Sequence, residues 1–391
     1  MKSISSILVK KDIKSSTAKF IKVFMLLLFF GNLAVSAGTS IEIINHLPKK
    51  RVELVEIPYV KFQKEFLWTR GKTFKLINAT TKAELPYQLA YKGNKEPVAL
   101  LIAVSVAANA SLKILVKEGS PAMVKNKTFA RFVPERYDDF AWENDKVAFR
   151  MYGAALEKRK DNALGMDVWS KRTLELIVDK WYKSGDYHTD HGEGMDYYSV
   201  GNTLGAGDIA PFVNDSIYFT NNYKTWKVLD NGPLRSTFQL IYPTRNAADI
   251  PITVTKIISI DAGSQFNKVE AIFDFQGAQA MPVVIGIVKR GTQGAAVVLN
   301  EKDGIMAYWE PESVKNGVLG LAIVVSDSTN KMAVAKGHLL TFASAKSLQP
   351  YCYYSGAAWN RAGQITSAQE WINYLSDFKE GLNSPLVVNF K

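Results

Sequence analysis

A single cysteine, Cys352, in 391 residues rules out an internal disulfide, so a buried apolar core must supply the stability. Histidine is almost as scarce, with four in the chain. No segment beyond residue 37 has the roughly 18 consecutive apolar residues of a membrane span. There is no Gly-x-Ser-x-Gly elbow, no Gly-rich loop ahead of Lys-Ser/Thr and no His-Glu-x-x-His, which excludes the common serine hydrolases, the P-loop nucleotide enzymes and the zincin proteases. Internal repeats and low-complexity linkers are also missing.

The first 37 residues read as a secretory leader. Six lysines precede an apolar run from Val23 to Val35, too short to cross a bilayer, and Ser36 and Ala37 offer a small-residue cleavage site. Cleavage after Ala37 is expected, giving a periplasmic or secreted product with no lipid anchor. The formal charge of +11 then falls to about +6, because the leader carries a net +5. That mild excess suits anionic substrates, but it includes no Lys/Arg cluster of the kind nucleic acid requires.

The remainder reads as all-β. From residue 38 to 122, short apolar runs separated by Pro48, Gly71, Pro86 and Gly93-Asn94 predict a small N-terminal β-sandwich, with Gly119-Ser120-Pro121 as its boundary. From 123 to 391 a larger antiparallel β-architecture is expected. Ile252, Val254, Ile258 and Ile260, and again Val269, Ala271, Phe273 and Phe275, keep the period of two of half-buried strands. Met281 to Val288 and Val318 to Val325 are continuously apolar, as strands covered on both faces are. Near the end, Ser367 and Glu370 form a capping box, and Trp371, Tyr374, Leu375 and Phe378 share one helical face, predicting an amphipathic helix that lids the sandwich.

Chemistry concentrates between Asp186 and Tyr198. His188 and His191 stand there among Asp186, Asp190, Glu193 and Asp196, interrupted by Gly192 and Gly194 and bracketed by Tyr187, Tyr197 and Tyr198. Such a stretch can be an acid/base set, a divalent-cation site or a solvated turn. In the acid/base reading His188, His191, Tyr187, Glu193 and Asp190 are catalytic, a neighbouring carboxylate orienting a histidine and raising its pKa. In the metal reading Asp186, His188, Asp190 and His191 are the ligands, although two local histidines fall short of a zinc set and the glycine spacing misses an EF-hand.

Two further stretches complete the candidate site. In Glu135 to Asp145, Arg136 can pair with a carboxylate through its planar fork, Trp142 can stack on a sugar, and Glu143 and Asn144 can bind hydroxyls; a surface turn with Arg136 paired to Asp138 or Asp139 is the alternative. In Tyr351 to Arg361, Tyr354 and Trp359 offer flat faces to a pyranose ring, the alternative being packing under the terminal helix. Arg235 is a possible anion contact, though such residues are more often structural ion pairs.

The blocks Arg136 to Arg150, Gly165 to Trp169, Asp186 to Val200, Thr203 to Gly207, Asn231 to Arg235 and Tyr353 to Trp359 together resemble a family of exported proteins carrying a domain of unknown function, found in saccharolytic bacteria beside genes for pectin and rhamnogalacturonan degradation. The family pattern leads one to expect Pro at Ala154 and Gly at Asp208, and Asp208 is therefore expected to alter the loop near the site. The order of a small sandwich, a strand with an acidic start, Gly232-Pro233-Leu234-Arg235 and a Val254-to-Asp261 strand is similar to the galactose-mutarotase-like β-supersandwich. These resemblances imply an exported carbohydrate-active protein acting on a uronate-containing oligo- or polysaccharide, as a lyase or a glycoside hydrolase. The alternatives are a mutarotase-like epimerase with a Glu base and a His acid, and a non-catalytic sugar-binding protein. A bound divalent cation is optional under each, and nothing in the sequence fixes the oligomeric state.

Overall fold

The computed structural model describes residues 40–291, 293–326 and 331–391; the expected leader lies outside them. Two antiparallel sheets form the small sandwich. One orders strands Val387–Phe390, Ser40–Asn45, Ala110–Glu118 and Phe74–Asn78, and the other Arg51–Pro58, Ala99–Val106 and Tyr87–Ala90. Between them Ile41, Ile57, Phe62, Phe66, Leu76, Ile102 and Ile114 make a separate core. The last strand of the chain completes this N-terminal unit by pairing with Ser40–Asn45. A sequence boundary at residue 122 assigns that strand to the larger part, because only the register reveals so long-range a partner.

The larger part is a supersandwich. An eight-stranded antiparallel sheet runs from edge strand Thr225–Asn231 through Arg235–Ala247, Ile250–Asp261, Phe266–Asp274, Pro350–Trp359, Leu319–Val325 and Ile305–Trp309 to Ala296–Asn300. Two five-stranded sheets, one built around Ala148–Met151 and the other around Met281–Val288, pack on one face of it through a single continuous core. Helix Ala368–Asn383 covers the opposite face. Its Trp371 and Leu375 pack on Phe266, Ala322 and Val324, and Ser367 accepts a hydrogen bond from Glu370 N at 3.2 Å. Leu319–Val325 is buried at every position: Leu321, Ile323 and Val325 face the five-stranded sheets and Ala322 and Val324 face the helix. That two-sided cover is what its unbroken apolar run required.

The period-two series carries one exception. Between Val254 and Ile258 the inward position belongs to Lys256, which is fully buried and pairs with Asp208 Oδ1 at 2.5 Å beneath the Tyr242 ring. Asp208 follows an irregularity in its strand's register and lies in the core, so the expectation that it alters the loop near the site is replaced by a structural role. Removing one partner of a buried pair strands the other charge. Lys256→Met should therefore destabilise the protein by about 3–5 kcal/mol, and adding Asp208→Val should recover most of that loss, as read by urea denaturation.

Candidate active site

The acidic start of strand Asp139–Asn144 determines what can reach a ligand. This strand sits between Thr128–Val133 and Ala148–Met151, and Asp167–Lys171 follows in the same sheet. Side chains alternate across such a sheet. Phe140, Trp142, Phe149, Met151 and Val168 point into the main core. The opposite face presents Asp139, Ala141 and Glu143 beside Ala148, Arg150, Asp167, Trp169 and Lys171. Neighbours along the strand, Trp142 and Glu143, thus belong to different sides of the sheet and cannot grip one sugar.

On that outer face Arg150 is the centre. It stands directly opposite Asp167 and is 4% exposed. Its Nε donates to Asp167 Oδ2 at 2.9 Å, its Nη2 to Asp196 Oδ2 at 3.1 Å and its Nη1 to Asp139 Oδ2 at 3.5 Å. Tyr152 Oη donates to Asp167 Oδ2 at 3.0 Å, and Val168 N donates to Asp167 Oδ1 at 2.9 Å. Asp139 has an oxygen, Oδ1, with no partner among the described residues. Burial pushes the Asp139 carboxyl up to about 7, against the opposing pull of Arg150 and Arg136. Asp196 is raised well above the ordinary carboxylate range by burial and by the neighbouring Asp167. Both carboxyls therefore keep their protons to higher pH than an exposed aspartate does.

A cavity of about 420 Å³ opens on this cluster, walled by Arg136, Tyr152, Lys160, His188, Tyr197 and Tyr198. Its rim includes an unusual turn in which Tyr137 and Asp138 both have positive φ, 53° and 63°. Such backbone is costly for residues with a side chain. It is fastened by the Tyr223 hydroxyl, which donates to Asp138 O, and by the close approach of Gly153, where a Cβ would stand 1.8 Å from that same carbonyl. The turn points Arg136 into the cavity. Arg136 Nε donates to Tyr187 Oη at 2.8 Å, and among the described residues no carboxylate lies within 4.0 Å of its guanidinium. Tyr187 is itself buried, stacked on Trp169 at 5.4 Å.

The histidine loop divides between two surroundings. His188 Nδ1 is 2.8 Å from the backbone carbonyl of Asp196. A carbonyl only accepts, so Nδ1 carries the hydrogen and Nε2 keeps its lone pair in the neutral ring. Asp196 Oδ2 lies 3.7 Å from the same nitrogen. Gly194, at φ 122°, permits this arrangement, since a Cβ there would meet Ser170 O at 2.0 Å. The other polar members are engaged outside the cavity. His191 Nε2 pairs with Asp186 Oδ2 at 2.9 Å, both exposed; Asp190 binds Arg172 and the amides of Gly192 and Gly194; Glu193 pairs with Lys180. The four proposed metal ligands therefore do not share a point, and among the described residues no group of three or more His, Cys, Asp or Glu is placed to hold an ion.

Other expected contacts lie elsewhere. Trp142 is wholly buried, its Nε1 donating to Asn267 Oδ1 at 2.8 Å. Glu143 forms a fully buried pair with Lys171 at 2.8 Å and accepts from the amides of Ile177 and Val178. Asn144 braces the chain by donating to Asp261 O and Ser264 O. Arg235 joins the two parts of the protein, pairing with Asp261 and with Glu56 of the small sandwich. Tyr354 packs edge-on against Phe378 of the terminal helix. Trp359 is 3% exposed and donates to Asn316 O. Among the candidates Arg136, Trp142, His188, His191 and Trp359, Arg136 and His188 line the cavity, while the other three do not. Tyr197 joins Arg136 and His188. Sequence reasoning names Asp139 only as a surface partner of Arg136 and Asp196 only as a member of the loop, and passes over Arg150, Tyr152 and Asp167. Their signal was faint: Arg150 is a lone charge within the apolar run Val147 to Met151.

The family described as "Domain of unknown function (DUF4861)" matches residues 43–388. The chain belongs to the DUF4861 family. Uncharacterized protein P7 of Formosa agariphila is 34% identical to it over 283 residues, covering 67% of this chain and 70% of P7. Among solved structures, an alpha-mannosidase from Enterococcus faecalis V583 superposes with a TM-score of 0.50 at 8% identity, over 96% of this chain and 49% of the mannosidase. A glycosyl hydrolase family 38 protein from Enterococcus faecalis gives 0.48 at 9% identity, over 96% of this chain and 50% of that one. The DUF4861 chain thus spans about half the length of these structures, and at 8% identity the mannosidase shares its fold. Among the described residues no helix is long and apolar enough to cross a membrane.

The raised carboxyl of Asp139 makes stability depend on pH. Its pKa is higher folded than unfolded, so the folded state binds more protons between about pH 4 and 7. The contribution is complete below the unfolded value and is lost as pH rises through about 7. Asp139→Asn keeps the neutral shape and removes this dependence. Relative to wild type, the variant should gain stability between pH 4 and pH 8, by up to about 4 kcal/mol, measured by urea unfolding at both values.

Proposed function

We propose that this DUF4861 protein is an exported carbohydrate-active enzyme that cleaves a uronate-containing glycan, such as those of pectin, by β-elimination in the Arg150 cavity. The observation that carries the reading is the pairing in one cavity of an arginine fork with no carboxylate of its own, Arg136, with His188, whose Nε2 is free to take a proton. Arg136 would bind and neutralise the uronate carboxylate, which acidifies the adjacent C–H. His188 Nε2 would remove that proton, with the Asp196 carbonyl accepting from Nδ1–H and fixing the ring's orientation. Tyr197 lines the cavity with its hydroxyl buried and protonated; it would turn outward to protonate the departing glycosidic oxygen. A divalent cation could share the carboxylate with Arg136, which a chelator tests directly.

One observation favours a second reading, hydrolysis. Asp139 and Asp196 both have raised pKa values and contact the same guanidinium, as suits an acid and base pair. An epimerase built on a Glu base and a His acid has less support, because Glu193 is paired with Lys180 outside the cavity.

Purified protein should be assayed against uronate oligosaccharides and their carboxyl-reduced counterparts, with and without chelator. Elimination yields a product that absorbs in the ultraviolet, hydrolysis yields reducing ends without that absorbance, and a sugar-binding protein yields neither. Under elimination, His188→Ala should lower kcat by about 10²–10⁴-fold. Arg136→Ala should lower kcat/KM by about 10²–10³-fold on the uronate and leave binding of the carboxyl-reduced sugar unchanged. Survival of full activity in His188→Ala would remove the assigned base.

A further inference from the structure

Trp226 alone among the eight tryptophans is exposed, at 43%. It stands on edge strand Thr225–Asn231 of the eight-stranded sheet, opposite Leu240, and so turns its side chain toward the sheet's inner face. Phe132, on edge strand Thr128–Val133 of the neighbouring sheet, stacks on the indole with ring centroids 4.9 Å apart and planes 16° from parallel. Phe140 holds its flank at 6.0 Å. One face of the indole is thus fixed against the protein, and the exposed part belongs to the side turned away from Phe132. The indole N–H has no acceptor among the described residues, whereas Trp142, Trp359 and Trp371 each donate to one.

A rigidly held tryptophan with a bare side and a free donor suits a sugar. Apolar surface left in water is unfavourable until something covers it, and a pyranose ring presents an apolar face edged by hydroxyls that an indole and its N–H match. Its position fits as well, because the chain reaches Trp226 directly from the cavity wall. Asn222 Nδ2 donates to Asn162 Oδ1 at 3.1 Å and to Gly153 O at 2.9 Å, and Tyr223 donates its hydroxyl to Asp138 O on the cavity rim. Asn162 itself lines the cavity. From Asn222 to Trp226 the chain can span at most about 14 Å. Lys224 and Lys227 bracket the tryptophan; both are exposed, and neither pairs with an acid among the described residues.

We propose that Trp226 is an outlying sugar subsite, stacking on a further unit of the same glycan whose uronate occupies the cavity. This rests on the reading of the cavity as a uronate-glycan site given above. The bound chain crosses the rim at the Tyr137–Asp138 turn, lays a pyranose face on the indole and brings its anionic groups past Lys224 and Lys227. Trp142 and Trp359, the tryptophans expected to stack on a sugar, are buried; the indole that the fold leaves in water is this one. A contact so far from the reacting bonds adds affinity for chains long enough to reach it and nothing for shorter ones.

Calorimetric binding of galacturonate oligosaccharides tests the subsite, with His188→Ala as the parent so that nothing is cleaved. Adding Trp226→Ala should weaken binding of the hexasaccharide about tenfold and of the disaccharide by less than about twofold. Trp226→Phe keeps a flat face and should retain most of the affinity. Trp226→Leu covers Phe132 without offering a ring, so it should behave as Trp226→Ala does even where the smaller residue costs stability, which urea unfolding reads separately. Affinity electrophoresis of the same proteins through polygalacturonate and through its carboxyl-reduced form separates this subsite from the cavity chemistry. A wild type that cleaves no uronate glycan defeats the elimination reading, while stronger retardation of the parent than of the Trp226→Ala protein in the carboxyl-reduced gel still supports the subsite. The subsite is overturned if Trp226→Ala and Trp226→Leu bind the hexasaccharide as tightly as the parent, if affinity for both lengths falls alike, or if neither gel retards the parent more than the Trp226→Ala protein.

Discussion

The guanidinium of Arg150 is the constraint on which the cavity depends. One positive charge faces three aspartates, all at most 2% exposed, and can neutralise one of them. Asp167 has the strongest claim, with donors on both of its oxygens. Leaving Asp139 and Asp196 both ionised would bury two further charges, which costs more than keeping protons on the pair. The fold thereby makes acids out of residues that would be fully ionised on the surface. Its means are ordinary ones: a register that sets Asp167 opposite Arg150, a turn that carries Asp139 to the end of its strand, and a glycine that lets the histidine loop press against Ser170.

Elsewhere the same protein buries charge in balance. Glu143 has Lys171 and two amides, and Asp208 has Lys256 with the amide of Ile209. In each case one carboxylate meets one ammonium, the charges cancel, and both residues hold strands together. The Arg150 cluster differs by its surplus of carboxylates and by the cavity in front of it. The contrast separates matched from surplus charge more sharply than burial does, because all of these groups are buried.

Periodicity made the architecture legible. Alternation in Ile252 to Ile260 and the unbroken run at Leu319 to Val325 were enough to imply half-buried and doubly covered strands, and Ser367 with Glu370 marked the helix. The site was legible only where its residues are crowded together. His188, Arg136 and Tyr197 could be picked out from dense polar stretches, yet Asp139, Arg150, Asp167 and Asp196 are each separated by 11 to 29 positions and meet through strand register and loop closure. No local pattern encodes that meeting. Trp142 misled for a related reason: its identity suits a sugar, but its parity along the strand sends it to the core, and parity cannot be assigned until the strand's cover is known.

The likeness to an alpha-mannosidase bears on the same point. Nearly the whole chain follows that fold while 8% of the positions agree, so the sandwich survives replacement of almost every side chain. What it requires is a set of inward apolar positions, which many residues can fill. The outer face of strands Asp139–Asn144, Ala148–Met151 and Asp167–Lys171 is under no such demand, since it is covered by a short helix and a loop rather than by the stacked sheets. It can therefore carry a cluster that would be intolerable between the sheets, where an unmatched carboxylate would find neither solvent nor a second arginine. The position of the cavity follows from that difference: surplus charge collects at the covered outer face of these strands and not between the stacked sheets.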